Sequence, residues 1–167
     1  FRPEHKEWVY EPVVSDDGRY LILHIWNATD VNNMIFCREL RTDAPFREVV
    51  PQFEARYTFV GNSGTALWLH TDHEASRGKL IAVDVSRPQR EAWKTVLPET
   101  NETLQSVTAV GGRLVAKYLR DAYSRVVLLD RDGQFQKEVG LPGIGTVTGF
   151  EGAIDHSETF FDYTSFN

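Results

Sequence analysis

The chain has 167 residues, a formal charge of −6 at pH 7, 41% hydrophobic residues and 12% aromatics, which is the composition of a folded chain with a core, not of a disordered one. Lys and Arg are scattered singly among carboxylates, so the clustered basic face of a nucleic-acid binder is missing, and no apolar run approaches the roughly 18 residues of a membrane span. The only cysteine, Cys37, excludes an intrachain disulfide and a thiolate metal cluster; inside Met34-Ile35-Phe36-Cys37 it reads as a small buried hydrophobe.

From the N-terminus, the first strand signal is Val13-Val14. A turn at Asp16-Asp17-Gly18 and a second strand, Arg19-Tyr20-Leu21-Ile22-Leu23-His24, follow it. A third strand runs from Met34 to Leu40 and a polar fourth from Phe46 to Pro51. The series then repeats. Arg56–Val60, the turn Asn62-Ser63-Gly64, Thr65–His70, Lys79–Asp84 and Trp93–Pro98 make the second copy. Ser106–Val110, the turn Gly111-Gly112, Arg113–Tyr118, Arg125–Asp130 and Phe135 to Pro142 make the third. A degraded fourth begins with Thr146–Thr148 and continues as Ser157–Tyr163. Asp17-Gly18 and Gly111-Gly112 tolerate positive φ and suit two-residue hairpins, with Asn62-Ser63-Gly64 one residue longer. Charges and a terminal proline on each fourth strand blunt an outermost edge. Helix is limited to a turn at Pro88-Gln89-Arg90-Glu91-Ala92.

The turn glycines recur about every 46 residues, a period that in an all-strand chain marks β-propeller blades. The fold predicted is all-β, a partial β-propeller of about three four-stranded antiparallel blades plus part of a further one. The blades cover approximately 9–51, 56–98, 104–142 and 146–167, with no internal domain boundary. A propeller ring needs about four blades or more, so the chain reads as a segment of a larger protein, and Phe1 in place of Met places the natural start upstream.

No motif in the chain carries chemistry of its own. Gly61-Asn62-Ser63-Gly64 lacks the Gly-x-Ser-x-Gly spacing of a nucleophile elbow and lies between strands, so it reads as a turn. His70-Thr71-Asp72-His73 places two imidazoles near a carboxylate, but residues three apart on a strand point to opposite faces. His24, His70, Tyr118 and Tyr163 each lie six positions after their turn residue. Equivalent places in successive blades would line one ring or one inter-blade seam, with structural hydrogen bonding as the role. Asp16-Asp17 reads as a turn pair that caps backbone amides. Asn27-Ala28-Thr29 and Asn101-Glu102-Thr103 match the glycosylation acceptor pattern, which has meaning only in a secreted eukaryotic protein. No catalytic, substrate-binding, cofactor-binding or metal-binding residue is assigned, and no cofactor is expected.

Taken in order, Ser15-Asp16-Asp17-Gly18-Arg19-Tyr20, Trp93-Lys94 with Leu97-Pro98-Glu99, Tyr118-Leu119-Arg120-Asp121-Ala122 and Phe161-Asp162-Tyr163-Thr164-Ser165-Phe166 resemble the prolyl oligopeptidase family. The likeness falls on the later blades of that family's propeller. It implies a cytoplasmic or periplasmic serine peptidase that cuts short peptides after proline, in which a propeller caps a covalently linked α/β-hydrolase domain. The catalytic residues of that family lie in the hydrolase portion, so the role implied here is gating: a wall that excludes large folded proteins and admits short proline-containing peptides, with no nucleic-acid or membrane partner. A non-enzymatic propeller serving as a protein-binding platform, and the propeller of a dipeptidyl- or acylaminoacyl-peptidase relative, are the alternatives. Downstream sequence separates them.

Overall fold

Alternating and continuous apolar runs fold, among residues 4–166 described by the computed structural model, into fourteen strands and one turn of 3-10 helix, Arg90–Ala92. The first sheet is β1 (Trp8–Val14), β2 (Tyr20–Asn27), β3 (Asn33–Glu39) and β4 (Arg47–Val50), in that spatial order and antiparallel throughout. The second is β5 (Tyr57–Ser63), β6 (Ala66–Thr71), β7 (Lys79–Asp84) and β8 (Lys94–Leu97), and the third is β9 (Thr103–Val110), β10 (Arg113–Arg120), β11 (Tyr123–Leu129) and β12 (Phe135–Glu138). Both keep the same sequential order. The fourth holds β13 (Gly145–Gly149) and β14 (Phe161–Ser165) alone. Strand β9 packs on β5, β5 on β2 and β3, and β13 on β11. Each blade therefore meets the preceding one through its first strand. These are the blades of a partial propeller.

The core lies between sheets. Tyr20, Ile22, Ile35 and Cys37 of the first blade pack on Tyr57, Leu67, Leu69 and Ile81 of the second. Trp68, Leu80 and Leu97 meet Leu104, Ala109, Leu114 and Ala116 at the next boundary, and Val110, Val115 and Val126 meet Val147 and Phe150 at the last. Fully burying one such aliphatic side chain contributes about 1.5–3 kcal/mol. Inner sheets have both faces covered, so β6 and β10 read as continuous apolar runs instead of alternating ones. Cys37 is one of the fully packed residues at 2% exposure, and burial pushes its thiol up to about 11, which leaves it inert at neutral pH.

Three local features depart from the sequence expectation. Strand β1 begins at Trp8, well before Val13, and pairs with β2 from Trp8↔Asn27 to Val14↔Leu21. Pro12 inside it is tolerated because β1 is the edge of its sheet. The β1–β2 connection is wider than a two-residue hairpin: Ser15 N–H donates to the Tyr20 carbonyl (2.9 Å) and Gly18 N–H to the Ser15 carbonyl (2.8 Å). The tight turns are Gly64-Thr65 and Gly111-Gly112. In the latter both residues have positive φ (59° and 72°), the requirement of a type I′ turn whose twist matches the strands. Asn62 and Ser63 belong to β5 itself. In the fourth blade β13 and β14 are joined by the long segment 150–160, and its second strand starts at Phe161, not Ser157.

Candidate functional site: the seams between blades

At each boundary one residue in the first strand of the next blade has both its backbone groups satisfied by the blade before it. At the first boundary a single side chain does this. Asn33, 0% exposed at the start of β3, accepts the Tyr57 N–H on Oδ1 (2.7 Å) and donates Nδ2 to the Tyr57 carbonyl (3.0 Å). Its own N–H donates to the Ala55 carbonyl (3.1 Å). The amide side chain imitates a strand residue and splices two sheets that cannot pair directly.

At the second boundary the equivalent of Asn33 is Gly78, which has no side chain to offer. Backbone and histidine take over: Leu104 N–H donates to the Arg77 carbonyl (2.7 Å), and His70 hydrogen-bonds to the Leu104 backbone. A Cβ at Gly78 would meet His70 Nε2 and the Leu104 carbonyl oxygen, each at 2.9 Å, so this close approach needs glycine. At the third boundary Val147 N–H donates to Ser124 Oγ (3.0 Å) and Lys117 Nζ donates to the Val147 carbonyl (3.2 Å). Ser124 is 3% exposed. A buried backbone pair left without partners is costly, and three different chemical solutions meet that one demand.

His24 adds a further link at the first seam. Its Nε2 accepts the Phe59 N–H (3.1 Å), so the neutral ring carries its proton on Nδ1. The backbone of Glu11, its cross-strand partner, favours that proton yet forms no well-aligned bond with it. Burial holds both His24 and His70 below the ordinary imidazole pKa, and both stay neutral around pH 7. The seam role foreseen for these two is what the geometry gives. Tyr118 is different: it packs, 6% exposed, into the core shared with the second blade. Aligned by strand pairing, Ser63↔Ala66 and Val110↔Arg113, the residue corresponding to His70 is Lys117, and it is Lys117 that reaches forward. Tyr163 is half-buried against the core of the last boundary.

A second link closes the outer side of the first seam. Trp93 meets Tyr57 and His73 edge-on, with ring centroids 6.1 Å apart in each case, and the Arg90 guanidinium lies 5.6 Å over the Trp93 ring. Arg90 also forms an ion pair with Glu54 and approaches His73 Nε2 (3.1 Å). Burial alone would raise the Glu54 carboxyl; the hydrogen bonds from Arg90 and Tyr57 outweigh it, and the group titrates below the usual carboxylate range. Tyr57 OH donates to Glu54 Oε1 (3.1 Å). A cavity of about 420 Å³, lined by Val49, Pro51, Glu54, Pro88, Arg90 and Trp93, opens beside this clasp.

The remaining candidate residues are held apart. His70 and His73 are separated as strand geometry requires, one in the second seam and one in the outer clasp, while Asp72 accepts the Arg56 N–H (2.8 Å). Ser63 ends β5 beside its turn. Asp17 accepts the Arg19 N–H (3.0 Å) and the Asn62 side chain (2.8 Å), and Asp16 accepts the Ile154 N–H (2.9 Å). Both act as amide or side-chain caps. Asn33, Ser124 and Arg77 carry the seams without any motif to mark them; the one legible clue is a lone Asn heading the apolar run Met34-Ile35-Phe36-Cys37.

The family model for the prolyl oligopeptidase N-terminal β-propeller domain matches residues 1–167. The prolyl endopeptidase of Elizabethkingia miricola is 33% identical over 92% of this chain and 21% of its own length, and that of Elizabethkingia meningoseptica is 31% identical over the same shares. The chain thus spans about a fifth of the length of these relatives. Among solved structures, one from a study of two prolyl endopeptidases superposes with a TM-score of 0.88 at 30% identity, covering 99% of this chain and 24% of that one. Prolyl oligopeptidase B from Galerina marginata superposes with a TM-score of 0.90 over the same shares at 24% identity, a likeness of fold. With blades, seams and turn pattern all in agreement, the chain belongs to the β-propeller domain family of the prolyl oligopeptidases.

Proposed function

We propose that the chain is a non-catalytic sector of the propeller of a serine peptidase of the prolyl oligopeptidase type. In this reading it walls off a covalently linked α/β-hydrolase domain, admits short proline-containing peptides and turns folded proteins away. The observation that carries the reading is the seam chemistry: Tyr57, Leu104 and Val147 are each tied to the preceding blade through both backbone groups. A filter that works by size has to resist thermal opening between its blades, and these links, with apolar cores beneath them, supply that resistance. Closing a chamber around the reacting groups also excludes bulk water without any wall residue taking part in the reaction. The compartment that fits is cytoplasmic or periplasmic.

The test uses this chain joined to its hydrolase domain. A short proline reporter peptide should be cleaved while the same sequence displayed on a folded protein is spared, and Asn33→Ala, which loosens the first seam, should narrow that ratio. The 167-residue chain alone should cleave neither substrate. Proline-specific cleavage by the chain alone, sensitive to a serine reagent, would overturn the reading.

A further inference from the structure

The segment 150–160 is an arm with a fixed base and a reaching tip. At the base, Phe150 N–H donates to the Phe160 carbonyl (2.8 Å), and the Phe150 ring, 6% exposed, stacks on Phe161 at 4.9 Å between centroids. Phe150 keeps a φ of 66°, a left-handed conformation uncommon for a bulky residue. Along the arm, Thr159 Oγ1 donates to the Glu151 carbonyl (2.8 Å). A turn is closed by His156 N–H to the Ala153 carbonyl (3.1 Å) and by Ala153 N–H to His156 Nδ1 (3.1 Å).

At the tip, Ile154 touches two other blades. Its carbonyl accepts the Gly112 N–H of the third blade (2.6 Å), and its N–H donates to Asp16 Oδ2 of the first blade (2.9 Å). Asp16 and Ile154 are 138 residues apart in sequence. The neighbouring Asp17 is joined in turn to Asn62 of the second blade. Turns and strand ends from three blades and the tip of the arm are therefore linked by hydrogen bonds on one face of the inner strands. Beneath the arm lies a cavity of about 150 Å³ with Val110, Arg113, Val115 and Leu128 in its lining.

We infer that the 150–160 arm is a strap across the axial opening of the propeller, latched to the first blade by the Asp16 carboxylate and able to swing at its tip while its base stays packed. The inference rests on the gating reading above and adds to it the element that moves. The asymmetry of the two ends carries it. The base is held by stacked aromatic rings in a buried setting, whereas the tip is held by surface hydrogen bonds to turns of other blades. Releasing the tip uncovers the cavity and widens the mouth between the first and fourth blades, leaving the sheets intact. Asp16 is a positioning residue and touches no substrate.

Hydrogen exchange on the 167-residue chain reads the latch directly. Asp16→Ala should speed exchange at the Ile154 amide about 10-fold, the factor carried by one charge-assisted hydrogen bond at a surface. The Gly112 amide should follow, the Phe150 amide and the β2 ladder should stay protected, and Asp16→Asn, which still presents an acceptor oxygen, should recover part of the loss. Unchanged Ile154 exchange, or loss of protection throughout β2, would overturn the strap. With the hydrolase domain present, Asp16→Ala should raise kcat/KM for longer peptides several-fold more than for a minimal reporter; equal effects on both would contradict the strap as a gate. The gating reading itself falls only if the unsubstituted protein shows no preference for short peptides, so the two failures are distinct.

Discussion

Asn33→Ala is the sharpest probe of the seams. The substitution removes both partners of Tyr57, whose N–H and carbonyl are otherwise held at 2.7 and 3.0 Å, at a site where Tyr57 is 1% and Asn33 0% exposed. Each buried backbone group left unsatisfied costs about 1–3 kcal/mol. Two of them give about 2–5 kcal/mol, with the lower figure applying if a water enters the space vacated by the amide. For a domain of this size about 1 kcal/mol moves Tm by roughly 2–4 °C, so the melting temperature should drop by about 5–20 °C, read by circular dichroism. Asn33→Asp is the control. It preserves shape and can still accept the Tyr57 N–H, but it presents an unprotonated oxygen to the Tyr57 carbonyl and brings a charge into a dry site. It should therefore destabilise at least as much as alanine. An alanine variant within about 0.5 kcal/mol of the parent, or an aspartate variant as stable as the parent, would refute the idea that this pair of hydrogen bonds holds the blades together.

Stability should fall as pH drops below about 6.5, because His24 and His70 bind a proton in the unfolded chain at its ordinary pKa and resist it when buried; a Tm that is flat between about pH 7.5 and pH 5.5 would contradict the buried neutral imidazoles. A second loss should begin below about pH 4, as the Glu54 carboxyl, depressed by Arg90 and Tyr57, is protonated and its ion pair breaks. Trp93→Ala should cost about 2–4 kcal/mol by emptying the outer clasp, toward the low end because the ring is only partly buried, and denaturant titration would register it as a lower midpoint at unchanged slope. The 167-residue chain should self-associate through the outer edge of β14, which has no further strand beside it among the described residues and exposes Phe160 and Phe166 close by; a concentration-independent monomer in analytical ultracentrifugation would argue against an open edge.

The blades were legible because their demands are local. Gly18, Gly64 and Gly112 hold the positive φ that their turns require, and the apolar runs between them can be counted without any tertiary knowledge. Half of the seam was legible too, since His24 and His70 keep the same distance from their turns. The error at Tyr118 has a simple cause. Gly64 occupies the first place in its two-residue turn and Gly112 the second, so aligning the two glycines slips the third blade by one residue, and a one-residue slip exchanges the faces of a strand. Asn33, Gly78 and Ser124 could not be recognised as a set, because three unlike residues meet one need that lies in the neighbouring blade. Nor could the 150–160 arm be foreseen: its meaning depends on Asp16 and Ile154 coming together across the fold.

Whether the propeller acts as a size filter is decided most directly by one ratio, the kcat/KM for a short proline peptide divided by that for the same sequence held in a folded protein. It is to be measured on the hydrolase-bearing protein with and without its propeller. The ratio should be large with the propeller present and should collapse towards unity when the propeller is removed and the hydrolase remains folded and active on the short peptide. A ratio unaffected by the loss of the propeller would contradict the wall.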